Sequence, residues 1–147
     1  MMKLGLVSAI LPDFSFEQVF DYAAEVGFQC VEVCCWPKGK ALRRYAGITH
    51  IDLDELTADK MKYYLDYAKS KGVAISSLGY YPNPLSADAE ESETAIKHLY
   101  RLIDASAQMG IYMVTTFIGK DKNKTVEKNL DLFEAKWTPI IRYAEAK

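Results

Sequence analysis

An apolar, strand-like run followed by a stretch of helical period occurs four times in succession, and that order constrains the fold more than any other feature of this chain. The runs are Lys3–Ser8, Cys30–Cys35, Val73–Leu78 and Tyr112–Phe117. After the first, Phe16, Val19, Phe20, Ala23 and Ala24 fall at the i, i+3, i+4, i+7, i+8 spacing of one buried helix face. Ser15 and Gln18 have the spacing of a capping box, with Phe14 placed to staple onto Val19. A second helix is expected from near Thr57, burying Met61, Tyr64, Leu65 and Ala68. A third runs from about Asp88 to Met109, with Ile96, Leu99, Ile103 and Ala107 inward. The fourth begins near Thr125 and carries Leu130, Phe133 and Trp137. Pro139 has no N–H for the helical ladder, so a kink or restart is expected there, with Thr138 as cap. Strands alternating with helices in this way run parallel and are joined by right-handed crossovers.

The ends of the helical stretches repeat as well. Tyr22-Ala23 leads to Gly27 and Tyr67-Ala68 to Gly72 at one offset, and Ala107-Gln108-Met109 runs into Gly110. A glycine there can take the left-handed conformation that closes a helix. By the same offset, Tyr143-Ala144 predicts a glycine just beyond Lys147 and then a fifth strand. Two architectures accommodate four such units: a small open parallel sheet, or half of an eight-unit barrel, which takes about 250 residues when whole. The loops favour the barrel. Helix-to-strand turns are short, whereas strand-to-helix loops are long, above all Trp36 to Leu56, and all lie on one face. No glycine-rich phosphate loop follows the first run, as a doubly wound nucleotide fold would require. The expectation is an α/β fold of four consecutive βα units with parallel strands. Residues 1–147 then form a single partial domain, the first half of a (βα)8 TIM barrel.

Composition narrows the partners. With 18 basic against 20 acidic residues there is no broad positive field to hold a phosphate backbone, so no nucleic acid is expected. No apolar run reaches the roughly 18 residues of a membrane span, so no membrane is expected. Leu4 to Leu11 is long enough for a signal-peptide core but lacks an Ala-x-Ala cleavage pattern, and reads as a buried first strand. Cys30, Cys34 and Cys35 are odd in number and clustered, unlike a disulfide framework or a C-x-x-C site. They read as small thiols packed in a reduced core, and the location as cytoplasmic.

Aligning the runs on their leading glycines places Glu32, Ser77 and Thr115 at one offset and on one face of the sheet. Val31, Val33 and Cys35 then face the helices, and Glu32 points into the barrel. A carboxylate there is either the polar floor of a substrate pocket or a structural group bonded to neighbouring strands or a cation. Beyond it, Trp36 offers a flat apolar wall, and Lys38, Lys40, Arg43 and Arg44 offer cations for a polyhydroxy or phosphorylated ligand, or are simply solvated. His50 lies in the same long loop, within reach of a ligand. His98, beside Lys97, reads as a surface residue. Tyr81 shares the parity of Glu32 and either lines the pocket or caps the core. No nucleophile signature or metal-ligand spacing is present, and the catalytic residues are unknown.

Val31-Glu32-Val33 with Trp36-Pro37-Lys38-Gly39-Lys40, the strand end Leu78-Gly79-Tyr80-Tyr81, and Thr116-Phe117-Ile118-Gly119 together resemble the sugar phosphate isomerase/epimerase family of xylose-isomerase-like TIM barrels. The resemblance covers the whole chain but only the N-terminal half of the family's barrel. It implies a cytoplasmic enzyme that binds a divalent metal (Mn, Mg, Co or Zn) and moves a proton between carbons of a sugar or sugar phosphate through an enediolate. In that family the metal ligands come mainly from strands five to eight, so no metal ligand is carried over and none is expected to bind this chain alone. What the resemblance leaves is a substrate-binding set of Glu32, Trp36, His50 and Tyr81 on a half that is inert by itself. Self-association or a missing C-terminal half is then expected as partner. Two other readings are a non-catalytic sugar-binding or dimeric scaffold module, and a relative in the DNA-repair branch of the superfamily, against which the acidic balance counts.

Overall fold

The computed structural model describes residues 2–39 and 45–147. The four runs form four strands, β1 (Gly5–Val7), β2 (Cys30–Cys34), β3 (Ala74–Gly79) and β4 (Val114–Thr115). They make one sheet in the order β1-β2-β3-β4, with every neighbouring pair parallel. Between and after them lie α1 (Phe16–Glu25), α2 (Ala58–Ser70), α3 (Ala89–Gln108) and α4 (Val126–Glu145). Each helix starts at a side chain that satisfies one of its free N–H groups. Ser15 makes the full capping box with Gln18, and Thr57, Asp88 and Thr125 accept from Lys60, Glu91 and Lys128.

The outer strands are shorter than their apolar runs. After Val7 the backbone curls into a single 3-10 turn, and the Ser8 side chain takes over from the ladder, accepting from the Cys34 N–H at 2.9 Å. The register of β2 on β3 shifts between Val31 and Glu32, so that Val31 pairs with Ile75 and Glu32 with Ser77. Ser76 is the extra residue of a bulge. Behind the sheet, Val31, Val33 and Cys35 are fully buried in a core with Phe16, Val19 and Phe20 of α1 and Leu99 and Leu102 of α3. The opposite face carries Glu32 and Ser77.

Four local expectations are corrected. Phe14 packs edge-on against Tyr22 at 6.2 Å rather than serving as a staple on Val19. His98 is buried, because it continues the apolar stripe of Ala95, Leu102 and Ala105 on α3. Leu130 is exposed, because it lies on the outer flank of α4 beside the open edge of the sheet. Finally, α4 runs unbroken through Pro139. Pro139 and Ala135, whose carbonyl loses its donor, are both on the exposed side, where water can take the bond.

Candidate functional site

A cavity of about 450 Å³ opens at the C-terminal ends of the strands. Each strand-to-helix loop contributes to it: Val7, Ala9 and Ile10 after β1, Trp36, Tyr45 and Ala46 after β2, Tyr81 after β3, and Phe117 after β4. The walls are apolar, and two ring contacts hold them. Tyr81 and Phe117 lie 4.9 Å apart, while Trp36 stands edge-on to Tyr80 at 4.8 Å. Tyr80 in turn meets the His98 ring at 4.5 Å. The Nε2 of His98 lies 2.7 Å from the Cys35 carbonyl, which can only accept, so Nε2 carries the proton. His98 therefore anchors the backbone from which Trp36 is hung.

At the inner end of Tyr81 sits a polar group. The Tyr81 hydroxyl donates to Glu32 Oε1, and Ser77 Oγ donates to Oε2 at 3.2 Å. Gly79 makes the room: a Cβ there would stand 2.8 Å from Glu32 Oε1. Burial, and then the neighbouring carboxylate, push the Tyr81 phenol up to about 12, so it remains a donor. With one partner on each oxygen, the half-buried Glu32 keeps lone pairs for a further donor such as a ligand hydroxyl. Thr115 pairs with Gly79 across the next strand, two residues beyond Ser77 and on the same face.

The remaining residues singled out from sequence are placed elsewhere. His50 is buried under the long loop with Nε2 3.2 Å from the Leu11 carbonyl, and does not line the cavity. Its Nδ1 has no partner among the described residues. Burial holds the His50 imidazole below its ordinary pKa. Lys38 is paired with Asp52 at 2.7 Å and Glu55 at 3.1 Å, which raise its pKa and turn it toward its own loop. Lys40, Arg43 and Arg44 lie outside the described residues. Phe117 is not among the residues singled out, although its parity with Thr115 marks the inner face. Among the described residues no group of three or more His, Cys, Asp or Glu gathers to hold a metal ion. Around Glu32 the donors are hydroxyls, a hydrogen-bonding set that does not fit a divalent cation's need for several charged oxygens or imidazoles.

The sequence model of the xylose isomerase-like TIM barrel family matches residues 20–147. The chain belongs to that family. Solved structures agree on the fold of this half of a xylose isomerase-like barrel. D-psicose 3-epimerase with D-tagatose from Clostridium cellulolyticum H10 superposes with a TM-score of 0.69 at 14% identity, covering 99% of this chain and 49% of that one. The probable 3-DHS dehydratase of petrobactin synthesis from Bacillus anthracis gives 0.69 at 18% identity, covering 98% and 49%. A xylose isomerase-like TIM barrel protein from Mycobacterium smegmatis in complex with magnesium gives 0.66 at 14%, covering 98% and 52%. This chain thus spans about half the length of these structures, and at such identities the likeness is one of fold. No curated protein sequence matches the chain. In TIM barrels the active site lies at the C-terminal ends of the strands. The cavity of this chain lies at that face.

Proposed function

We propose that this chain forms half of the substrate pocket of an isomerase or epimerase of small sugars or sugar phosphates. The reaction class is proton transfer between neighbouring carbons through an enediolate. The observation that carries the reading is the cavity itself, with aromatic walls at Trp36, Tyr81 and Phe117 and one polar group, Glu32 with Tyr81, at its base. Aromatic faces suit the C–H side of a sugar, and the carboxylate and phenol suit its hydroxyls. In this reading Trp36 and Tyr81 hold the sugar and exclude water, Glu32 accepts a hydroxyl, and His50 supports the loop that closes over them.

The divalent metal of the reading (Mn, Mg, Co or Zn) belongs to residues outside this chain, so the 147-residue half is inert alone. A second βα half or a second copy covers the open edges of its sheet. Three free thiols support a reducing, cytoplasmic location, and no helix among the described residues is long and apolar enough to cross a membrane. A non-catalytic sugar-binding module is the second reading, favoured by the hydroxyl-rich surroundings of Glu32.

Saturation-transfer NMR with a panel of ketoses and ketose phosphates tests the pocket. Sugar signals are expected with the wild-type chain and are lost in Trp36→Ala. A chain that transfers no signal to any sugar overturns the reading. Turnover by the chain with added manganese overturns its inertness and the metal assignment together.

A further inference from the structure

The two edges of the sheet carry exposed flanks of matching apolar character and opposite charge. β1 and β4 each have one hydrogen-bonded neighbour, so each leaves a row of backbone groups unpaired. At the β4 edge Tyr112, Ile118, Val126, Leu130 and Ile141 are all exposed. They border two apolar hollows of about 260 and 380 Å³ that Trp137 and Phe133 help to line. At the β1 edge Leu4, Phe14, Tyr22 and Val26 are exposed. Tyr22, Glu25 and Val26 share one face of α1 and its cap, by their helical spacing.

Charge distinguishes the flanks. Between Lys3 and Lys38 the chain has no basic residue, while Asp13, Glu17, Asp21, Glu25 and Glu32 fall in that interval. Asp21 is matched internally by Lys71, and Glu17 accepts from Tyr63. Asp13 and Glu25 are exposed. The β4 flank opens instead with Lys120, Lys122, Lys124 and Lys128 against Asp121 and Glu127. An acidic, apolar flank and a basic, apolar flank on opposite edges of one parallel sheet are complementary to each other. Like flanks brought together would set like charges side by side.

We propose that two copies of this chain pair head to tail, the β4 edge of each against the β1 edge of the other. A twofold axis along the strands makes both junctions at once, keeps every strand parallel, and closes an eight-stranded ring. The cavity, open toward the missing side in one copy, is then walled by the second. The two Glu32–Tyr81 pairs face each other across one lumen. This pairing rests on the proposed reading of the chain as half of a barrel and is independent of which sugar the pocket takes.

Sedimentation equilibrium of the 147-residue chain across the micromolar range tests it. The expected mass is twice 16.6 kDa. Tyr22→Arg and Leu130→Glu change exposed side chains on the two flanks, and each is expected to keep the wild-type far-ultraviolet circular dichroism and to sediment as a monomer. Mixed in equal amounts, they are expected to regain the doubled mass, since one junction is then native and the other sets Arg against Glu. A wild-type monomer overturns the pairing. So does dissociation by only one of the two variants, which marks a dimer built on one flank. Masses that grow past the dimer overturn the closure, because an unclosed head-to-tail contact propagates. Sugar binding read by NMR in the same samples separates the two proposals: a monomer that binds sugar removes the pairing alone, and a dimer that binds none removes the pocket alone.

Discussion

Tyr81, just past the end of β3, donates its hydroxyl to the carboxylate of Glu32 on β2, joining the wall of the cavity to its base. The bond ties two loops to the sheet through side chains of adjacent strands. It also aligns the Tyr81 ring against Phe117.

Removing that donor has a measurable cost. Tyr81→Phe keeps the ring and deletes one hydrogen bond to an ionised group, a change worth about 1.5–3 kcal/mol. The lower end is expected because Glu32 is half-buried and water can replace the phenol. Urea denaturation should show the loss as a lower midpoint with an unchanged slope.

Gly79 is expected to tolerate no side chain while Glu32 is present. The added methyl of Gly79→Ala meets Glu32 Oε1 at 2.8 Å, and overpacking of this kind costs about 1–3 kcal/mol. Glu32→Ala in the same chain removes the obstacle, so the double variant should be markedly more stable than the sum of the two single effects. Additive effects in the double-mutant cycle would contradict the close approach.

Stability is expected to fall with mild acid. Burial holds the pKa of both His50 and His98 below the ordinary histidine value of 6.5. The unfolded chain then binds protons that the folded chain refuses, in the window that opens at about 6.5 and extends down to the lowered folded values. Their contribution is complete above that window and is lost as pH falls through it. Unfolding midpoints at stepped pH should show this slope, and His50→Gln with His98→Gln should flatten it.

The helices were legible in the sequence because their signals are local. Ser15, Thr57, Asp88 and Thr125 all cap the helices they precede, and Gly27, Gly72 and Gly110 all have positive φ where helices end. The glycine alignment also sets Glu32 opposite Ser77, as found, although Cys30 pairs with Ala74 one position away from that alignment. What was not legible depends on distant partners. His98 is buried against a carbonyl 63 residues away, and its neighbour Lys97 gives the opposite impression. Lys38 is matched by Asp52 and Glu55 from the far end of its loop. The cavity draws on all four loops, so no single segment announces Phe117 as part of its wall.

The unbroken α4 carries a prediction of its own. A proline within a helix removes one hydrogen bond and crowds the preceding turn, at about 3 kcal/mol in an isolated helix. Pro139 is exposed and inside Val126–Glu145, so Pro139→Ala is expected to raise the thermal midpoint, by less than that full amount. An unchanged or lowered midpoint would mean that the helix already accommodates the ring at no cost.

The bulge at Ser76 has a consequence for how β3 can change in length. Ile75 pairs with Val31 on the helix side, and Ser77 pairs with Glu32 on the inner side, with one residue to spare between them. Deleting Ser76 leaves both pairings as they are. Deleting Leu78 instead shifts everything beyond it by one place and sends Gly79, Tyr80 and Tyr81 each to the wrong side of the sheet. Within this strand, position 76 is therefore the place where the polypeptide can shorten by a residue without exchanging its inside for its outside.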